Sequence, residues 1–327
     1  MKKSYELDMC NGPILGKILV FAIPLMISGI LQLLFNAADI IVVGRFTGSQ
    51  ALAAVGSTSA LINLIINLFI GVSVGANVVV ARNYGAKDYD GIHGAVHTSV
   101  LTAIWGGIIL IFVGILLARP MLEMMGTPED VIDLSVLYMR IYFVGMPAFM
   151  MYNFGAAILR AIGDTKRPLY FLTLSGVVNV VLNLFFVIVF HMGVAGVALA
   201  TIISQAISAF LIILCLMKMD GPCHLDFKHL KFHPEQLKSM LRIGLPAGLQ
   251  GAIFSISNVL IQSSVNSFGS QVMAGNTAAG NIEGFVYNSM NAVYQTSLSF
   301  TSQNMGAKKF DRINKILFQC LLVVTAI

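Results

Sequence analysis

The stretch KILVFAIPLMISGILQLLFN, from Lys17 to Asn36, is apolar over the roughly 20 residues that an α-helix needs to cross a bilayer. Apolar runs of similar length recur along the 327-residue chain, which is 57% hydrophobic and 11% charged. A soluble globular domain carries about 25% charged residues. Because too little polar sequence remains to cover a soluble surface, the chain is predicted to be an all-α, polytopic bundle of transmembrane helices in a lipid bilayer.

Charged residues and Gly and Pro signals bound the apolar runs. The predicted helices span 14–44, 51–81, 93–118, 131–158, 169–190, 194–217, 238–266 and 272–304, and a ninth helix begins near 314. Several of these runs exceed the length of a straight span, so tilted helices or helices that extend beyond the bilayer are expected.

The opening stretch has a counterpart in the second half of the chain. Pro24 aligns with Pro246 of KSMLRIGLPAGLQGAIFSISN, which runs from Lys238 to Asn258. The segments GSQALAA and RNYGAKDYD, at positions 48 and 82, return as GSQVMAG and QNMGAKKFD at 269 and 303, an offset of 221 residues both times. An even number of helices, six, fits within this period, so two lobes in parallel orientation are predicted, as in two-lobed transporters.

The repeat also sets the domain boundaries. We predict an N-terminal six-helix lobe over residues 1–217, an inter-lobe linker over 218–237 and a C-terminal lobe over 238–327. The repeat of the sixth helix would lie well beyond Ile327, so the second lobe is expected to be truncated after helices seven and eight and the start of nine. A complete nine-helix protein is the alternative.

Basic residues distinguish the two ends of the predicted bundle. Of the 20 Lys and Arg residues, 17 fall on one side, in the N-terminal segment and in the loops after every second helix. The other side holds Arg45 and Arg119, and Arg140 lies within a helix. By the positive-inside rule the N-terminus is cytoplasmic, and the net charge of +5 indicates membrane topology rather than nucleic-acid binding.

Asp39 is the only ionisable residue between Ile18 and Gly44. A carboxylate at the centre of a membrane helix costs roughly 3 kcal/mol. Two interpretations stay open: an interfacial acid that reaches headgroup water or pairs with Arg45, or a carboxylate that binds a proton or cation in a cavity between helices. Candidate partners are Asn179 and Asn183, which share a helix face at i,i+4 spacing, and Thr201 on the next helix. These polar groups could equally be interhelical glue.

Glu283 is the only acid within its predicted span, near the aromatic residues Tyr287 and Tyr294. A carboxylate beside aromatic rings suits a lipophilic cation, so these residues are candidates for a substrate cavity. The alternative is a structural acid paired with an amide such as Asn276 or Asn281.

Other patterns suggest binding but have simpler explanations. Met150 belongs to a methionine cluster whose flexible thioethers suit a promiscuous substrate pocket, although packing is the default interpretation. His93 and His97 have the spacing of a helical metal pair but lack an adjacent third ligand. The four cysteines are scattered, without a CxxC pair. We therefore predict no metal site, cofactor or disulfide.

The segment LRAIGDTKRPL, from Leu159 to Leu169, resembles the corresponding loop of the multidrug and toxic compound extrusion (MATE) family. The early Pro24, the later Asp39 and ANVVVARNYGAKD, from Ala76 to Asp88, agree with that family in order and spacing. The resemblance covers nearly the whole chain. It implies a twelve-helix antiporter, not an enzyme, that exports organic cations or amphiphilic drugs in exchange for H⁺ or Na⁺, as a monomer in the bacterial plasma membrane.

The resemblance also implies roles for single residues. Asp39 matches the coupling acid of the first helix, and Asn179 and Thr201 match ligand positions in sodium-binding members. Asn183 falls where those members have a second Asp, which favours H⁺ over Na⁺ as the coupling ion. We expect protonation of Asp39 to rearrange the first helix around Pro24, where a backbone hydrogen bond is missing, with Pro246 as its repeat counterpart.

Three rival functions fit the sequence less well. A membrane enzyme would need a recurrent acid pair or nucleophile arrangement, and a channel would need a polar filter repeat; neither is present in the sequence. A flippase for lipid-linked saccharides shares the two-lobed plan and stays as the alternative. It would need several basic residues in its cavity to hold a phosphate, whereas only Arg140 lies within a span.

Overall fold

A computed structural model shows the chain as a bundle of helices and describes residues 5–266 and 270–327. The α-helices are α1 (Ile14–Phe46), α2 (Ser49–Ala86), α3 (Tyr89–Met124), α4 (Glu129–Val144), α5 (Met146–Ala161), α6 (Lys166–Leu184), α7 (Gly193–Met217), α8 (Pro234–Asn266), α9 (Ser270–Gly306) and α10 (Phe310–Ala326). A π-helical turn (Phe185–Val189) extends α6, and a 3₁₀ turn (Phe227–His229) precedes α8. The predicted all-α architecture is confirmed. Lys2 and Lys3, which belong to the basic N-terminal segment counted above, and Gly269, the first residue of GSQVMAG, lie outside the described residues.

Within the described ranges, α1, α2, α3, α6 with its π turn, and α7 are long and apolar enough to cross a membrane. Helices α4 and α5 are bent by 49° against each other and add a sixth span when the pair is counted as one broken helix. The single helix predicted over 131–158 is therefore wrong. Pro147 explains the break next to Gly145, because proline lacks a backbone N–H and disfavours a helical conformation in the residue before it.

Helix α2 crosses α8 closely through glycines spaced four residues apart. Gly71 and Gly75 of α2 meet Gly244 and Gly248 of α8, and a Cβ added at any of the four would overlap the backbone of the opposite helix. Small residues at such a crossing let two backbones approach and gain dispersion contacts. The four glycines therefore allow this close inter-lobe contact because they have no side chains.

The predicted repeat is visible in the turns that end α2 and α9. Lys87 and Lys308 both have a left-handed backbone, with φ of 58° and 57°. In each turn the next N–H bonds to the carbonyl five residues back: Asp88 to Asn83 at 3.0 Å and Lys309 to Asn304 at 2.9 Å. This is the same helix-terminating motif in both places. The sequence repeat is therefore also a repeat of conformation.

The two turns also contact each other reciprocally. Gly85 packs on the carbonyl of Gln303, and Gly306 packs on the carbonyl of Arg82. The two glycines are separated by the repeat offset of 221 residues, and so are the two carbonyl-bearing residues. An approximate two-fold axis therefore passes between the turns, as expected for parallel lobes.

Among the described residues, the basic segments predicted for one side lie together at one end of the bundle, which we call the basic end. There, Gln303 donates to the carbonyl of Ala161 at 2.7 Å, and the ring of His97 contacts the backbone of Asp226 at 3.2 Å. Since α8 begins at Pro234, helix replaces the last part of the linker predicted over 218–237. The lobe boundaries stay a prediction.

Candidate functional site

Asp39 lies on α1 and contacts the amide of Asn183 on α6. The Nδ2 group of Asn183 donates a hydrogen bond to Oδ1 of Asp39. Asn183 is fully buried and Asp39 is partly buried. Arg45, the alternative partner considered from the sequence, is exposed. The carboxyl of Asp39 is therefore held between helices by an amide.

The hydrogen bonds continue from Asn183 to α7. Asn183 Nδ2 also donates to Asn179 Oδ1 at 3.3 Å, and Asn179 Nδ2 donates to Thr201 Oγ1 at 3.4 Å. The hydroxyl of Thr201 donates in turn to the carbonyl of Val197 at 3.0 Å. These hydrogen bonds link Asp39, Asn183, Asn179 and Thr201 in one cluster, and the role of the cluster in cation or proton coupling stays a prediction.

The orientation of the Asn183 amide decides whether this cluster presents a hydrogen-bond donor or an acceptor to a ligand. Its NH₂ group contacts oxygens of both Asp39 and Asn179, so a donor stands where a bound cation would have to bridge those two oxygens. In the described part of the chain, Oδ1 of Asn183 is buried without a hydrogen-bond partner. Rotating the amide would therefore present an acceptor to a protonated Asp39 and leave the buried oxygen satisfied.

A cavity of about 270 Å³ opens beside this cluster. Its described lining comes from α1, α2 and α4–α7, and its polar members are Gln32, Asn36, Asp39, Asn63, Tyr142, Tyr152, Asn153, Ser175, Asn179, Thr201, Ser204, Gln205 and Ser208. Such a lining, with several amides and hydroxyls around one carboxyl, can bind a proton or a small polar group. It can also exchange the hydrogen bonds of Asp39 as the helices move.

Sequence reasoning missed most of this lining, although part of it carries a readable signal. Gln32 and Asn36 precede Asp39 at i,i+4,i+7 spacing and so share its helix face. On α7, Ser204, Gln205 and Ser208 likewise continue the face of Thr201. The α4 residue Tyr142, by contrast, gives no such signal from its neighbours. It lines the cavity from the last turn of α4, three residues before Gly145.

Close approach of α1 to α6 depends on Gly176. The ring of Phe35 lies directly against this glycine, where any side chain would overlap it. Phe35 and Gly176 both line the cavity. The glycine therefore lets α1 pack tightly enough on α6 for Asp39 to reach Asn183.

The residues predicted for a substrate cavity lie elsewhere. Glu283, Tyr287 and Tyr294 are exposed on α9, outside the helices that line the Asp39 cavity. Tyr287 stacks on Phe254 of α8, with ring centroids 5.9 Å apart and planes 7° apart. Glu283 precedes Tyr287 by one turn on the same face. The pairing of Tyr287 with Phe254 was not predicted.

Other predicted residues have different surroundings from those expected. Met150, a candidate for the substrate cavity, has no exposed surface and belongs to the hydrophobic core. Its thioether packs there, which agrees with the default interpretation. Helices α1 and α8 run without interruption through Pro24 and Pro246. The hydroxyl of Ser28 donates to the carbonyl of Pro24 at 2.8 Å. Bending at these prolines during transport stays a prediction.

The sequence matches the MatE family model over residues 24–185 and 246–327. The two matched segments begin at Pro24 and Pro246, the first-helix prolines of the two repeats. Among curated proteins it is similar to the "Probable multidrug resistance protein YoeA" of Bacillus subtilis, with 31% identity over 91% of this chain and 66% of that protein. It is also similar to the "Multidrug export protein MepA" of Staphylococcus aureus, with 24% identity over 81% of this chain and 58% of that protein.

Solved structures agree with this assignment. An outward-facing multidrug resistance MATE family transporter of the MOP superfamily has a TM-score of 0.91 and 26% identity, covering 99% of this chain and 72% of that one. A MOP superfamily transporter from Pyrococcus furiosus, described for the reverse polarity of its binding pocket, has a TM-score of 0.90 and 26% identity, over 99% and 71%. The chain spans about two thirds or less of the length of the curated relatives described here.

Proposed function

Because this chain belongs to the MatE family, we propose that it is a secondary active antiporter that exports organic cations or other amphiphilic drugs. Relatives are named for multidrug resistance and multidrug export, which supports drug export as the activity. Members of the family are transporters, so catalysis is not expected. The observation that carries the proposal is the contact of Asp39 with Asn183 beside a polar cavity between helices.

The coupling ion in this proposal is H⁺. Asp39 is the one carboxyl among the described residues that line the cavity, and an amide N–H already fills the space between its oxygen and that of Asn179. A Na⁺ ion would have to displace this donor and would find a single negative charge. A proton needs only the carboxyl itself and an acceptor, which the rotated Asn183 amide supplies.

Proton binding would change how α1 is held. The ionised Asp39 accepts a hydrogen bond from Asn183, whereas the neutral acid has a proton to donate and accepts more weakly. The two forms therefore favour different arrangements of α1 against α6 and α7. A protonation equilibrium that differs between outward-open and inward-open states is sufficient to couple H⁺ entry to a shift in their populations.

Substrate binding is proposed at the surface formed by α8 and α9. Glu283 supplies a negative charge one turn from Tyr287, whose ring stacks on Phe254. A flat lipophilic cation could replace or extend this stack while its charge approaches the carboxylate.

In the proposed cycle, protonation of Asp39 weakens drug binding and deprotonation toward the cytoplasm resets the transporter. We place it, as a monomer, in the bacterial plasma membrane with the basic end cytoplasmic.

Efflux from proteoliposomes tests this proposal. The protein, its Asp39→Asn variant and an Asp133→Asn control would be compared for efflux of a fluorescent lipophilic cation under a pH gradient without Na⁺. Asp133 is an exposed acid on α4 that pairs with Arg119, so its loss should leave efflux unchanged. We expect Asp39→Asn to slow efflux by about 5- to 150-fold, the range of ordinary coupling free energies.

The other outcomes are equally informative. Equal efflux by all three proteins would refute coupling through Asp39. Efflux that appears only when Na⁺ is added would replace H⁺ by Na⁺ as the coupling ion. Absence of efflux in either medium would refute cation export and favour the lipid-linked saccharide flippase.

A further inference from the structure

Residues Tyr5–Pro13, which we call the N-terminal strap, cross the basic end in a non-helical conformation before α1 begins. On the first-lobe side, Tyr84 at the end of α2 donates from its hydroxyl to Oε2 of Glu6 at 3.0 Å. Gly163, in the turn between α5 and α6, packs directly on the backbone of Leu7. The first half of the strap is therefore attached to the first lobe.

The second half of the strap is attached to α9 and α10. Three side chains donate to its backbone carbonyls: Asn304 to Met9 at 3.1 Å, Lys309 to Cys10 at 3.0 Å and Arg312 to Gly12 at 3.1 Å. Lys309 also donates to Oδ1 of Asn11 at 2.6 Å. The side chain of Met9 is fully buried in a cluster with Phe300 and Ile316. Hydrogen bonds and apolar packing therefore act together here.

Helix α1 adds a third attachment. Nζ of Lys17 donates to the carbonyls of Asp8 at 2.5 Å and Asn11 at 2.8 Å. Lys17 on α1 and Lys309 in the turn before α10 thus both donate to Asn11. Three of the side chains that donate to the strap, Lys17, Lys309 and Arg312, carry a full positive charge. Charge-assisted hydrogen bonds are about twice as strong as neutral ones. The strap is held by defined bonds and is not simply a surface tail.

The strap lies beside the reciprocal contact of the two repeat turns. A cavity of about 850 Å³ is lined by strap residues together with residues of both turns, including Tyr84, Lys87, Gln303 and Lys309. Parting the lobes at this end would separate the attachments of the strap on α2 from those on α9 and α10. One set must break before the basic end can open.

We propose that the N-terminal strap is a latch that keeps the basic end closed and must detach from one lobe before the cavity opens there. This inference rests on the proposed function, because a latch has a role only if the basic end opens and closes during alternating access. Its primary test measures the strap itself and requires no transport. Failure of one proposal is thus distinguishable from failure of the other.

Cys10 provides a native reporter of latch opening. Its thiol lies 3.9 Å from Oε1 of Gln303, half-buried at the junction. Burial raises the pKa of this thiol, and the charge of Lys309 partly lowers it again. Removing Lys309 would by electrostatics alone reduce the reactive thiolate. Faster alkylation in such a variant can therefore only report greater exposure.

The first experiment compares alkylation of Cys10 by a maleimide in membranes that contain the wild type, Lys309→Met or Lys308→Met. The control is matched: Lys308 is the adjacent, exposed lysine and makes no hydrogen bond to the strap among the described residues. Mass spectrometry would follow the Cys10 peptide, with the Cys215 peptide as an internal reference for intact folding. We expect Lys309→Met to accelerate Cys10 alkylation about tenfold or more and Lys308→Met to change it by less than about twofold.

Equal Cys10 rates in all three proteins, or equal acceleration by both substitutions, would overturn the latch. A change in the Cys215 rate would mark a folding defect, and a second variant then decides. In Gln303→Cys, a short bis-methanethiosulfonate reagent would link position 303 to Cys10 and fix the strap to α9. This link leaves the first-lobe side free, so it should leave efflux unchanged. The variant Glu6→Cys/Tyr84→Cys/Gln303→Cys adds a second link between positions 6 and 84, whose native side chains meet in a hydrogen bond of 3.0 Å, so the reagent then ties the strap to both lobes. Double cross-linking should abolish efflux until a reductant is added, and undiminished efflux by the doubly cross-linked protein would refute the proposal.

Discussion

The glycine crossing between α2 and α8 predicts that two chemically identical substitutions on one helix have opposite effects. In Gly248→Ala, the new Cβ would lie 2.5 Å from the carbonyl oxygen of Leu68, 2.8 Å from its Cα and 3.0 Å from its carbonyl carbon. All three atoms belong to the backbone of α2, so no side chain can rotate away. In Gly251→Ala, the nearest atoms are Cβ and Cγ of Asn67 at 3.6 and 3.7 Å, an ordinary contact.

The expected magnitudes follow from these distances. Both variants gain about 1 kcal/mol of helix propensity from replacing glycine by alanine. Carbon atoms pack best at about 3.5–4.0 Å, so Gly248→Ala requires the two helices to separate by about 1 Å. Overpacking of this kind costs about 1–3 kcal/mol, and the upper end applies because all three blocking atoms are backbone. We expect Gly248→Ala to destabilise by about 2 kcal/mol and Gly251→Ala to stabilise by about 1 kcal/mol.

Thermal unfolding of the purified proteins in detergent would measure the difference. A thiol-reactive fluorescent dye reports unfolding through Cys223 and Cys320, which are 1% and 4% exposed in the folded protein. The unfolding temperature should fall in the order Gly251→Ala, wild type, Gly248→Ala. An unfolding temperature of Gly248→Ala at or above that of Gly251→Ala would refute the close crossing of α2 and α8.

Two further predictions concern the basic end. Asp164 is fully buried, pairs with Arg167 and accepts from the backbone N–H groups of residues 166 and 167, both at 3.1 Å. Asp164→Ala should therefore lower the free energy of unfolding by about 2–3 kcal/mol, whereas Asp133→Ala, in an exposed pair, should change it by less than about 0.5 kcal/mol; equal losses in chemical denaturation would contradict this. Burial raises the pKa of Cys223 in the linker from 9.0 to about 12. The pKa of Cys223 is higher in the folded than in the unfolded state. The contribution of its buried thiol to stability is therefore intact below about pH 9 and is lost as pH rises toward 12. The stability difference between wild type and Cys223→Ala should shrink by about 1.4 kcal/mol per pH unit above 9, and a pH-independent difference would contradict the assignment.

How far the sequence predicted the site depends on the kind of signal that each residue carries. Asp39, Asn179 and Asn183 could be found because polar groups in apolar spans are expensive and therefore conspicuous. Gln32 and Asn36 carried the same signal through their helical spacing from Asp39. Met150 could not be assigned, because a thioether serves a core and a pocket equally well and the sequence does not say which helix face is covered.

The bend between α4 and α5 had a local signal that the apolar pattern concealed. The residues Gly145, Met146 and Pro147 contain both a flexible position and a helix-breaking one, yet the hydrophobic run continues across them. The strap had no local signal at all. Its partners Asn304 and Lys309 follow almost 300 residues later, and only the folded chain places them beside Met9 and Cys10.

The basic end combines a symmetric contact with an asymmetric one. Gly85 and Gly306 make equivalent backbone contacts, so this part of the contact is the same for both halves of the chain. The strap exists once, ahead of the first repeat, and has no counterpart in the linker before Pro234 that makes the same bonds among the described residues. In the proposed latch, the glycine contact defines where the lobes meet, and the strap adds bonds that can be released without altering either turn. Substitutions at Lys309 can therefore change the stability of the closed state while the symmetric contact between Gly85 and Gly306 stays unchanged.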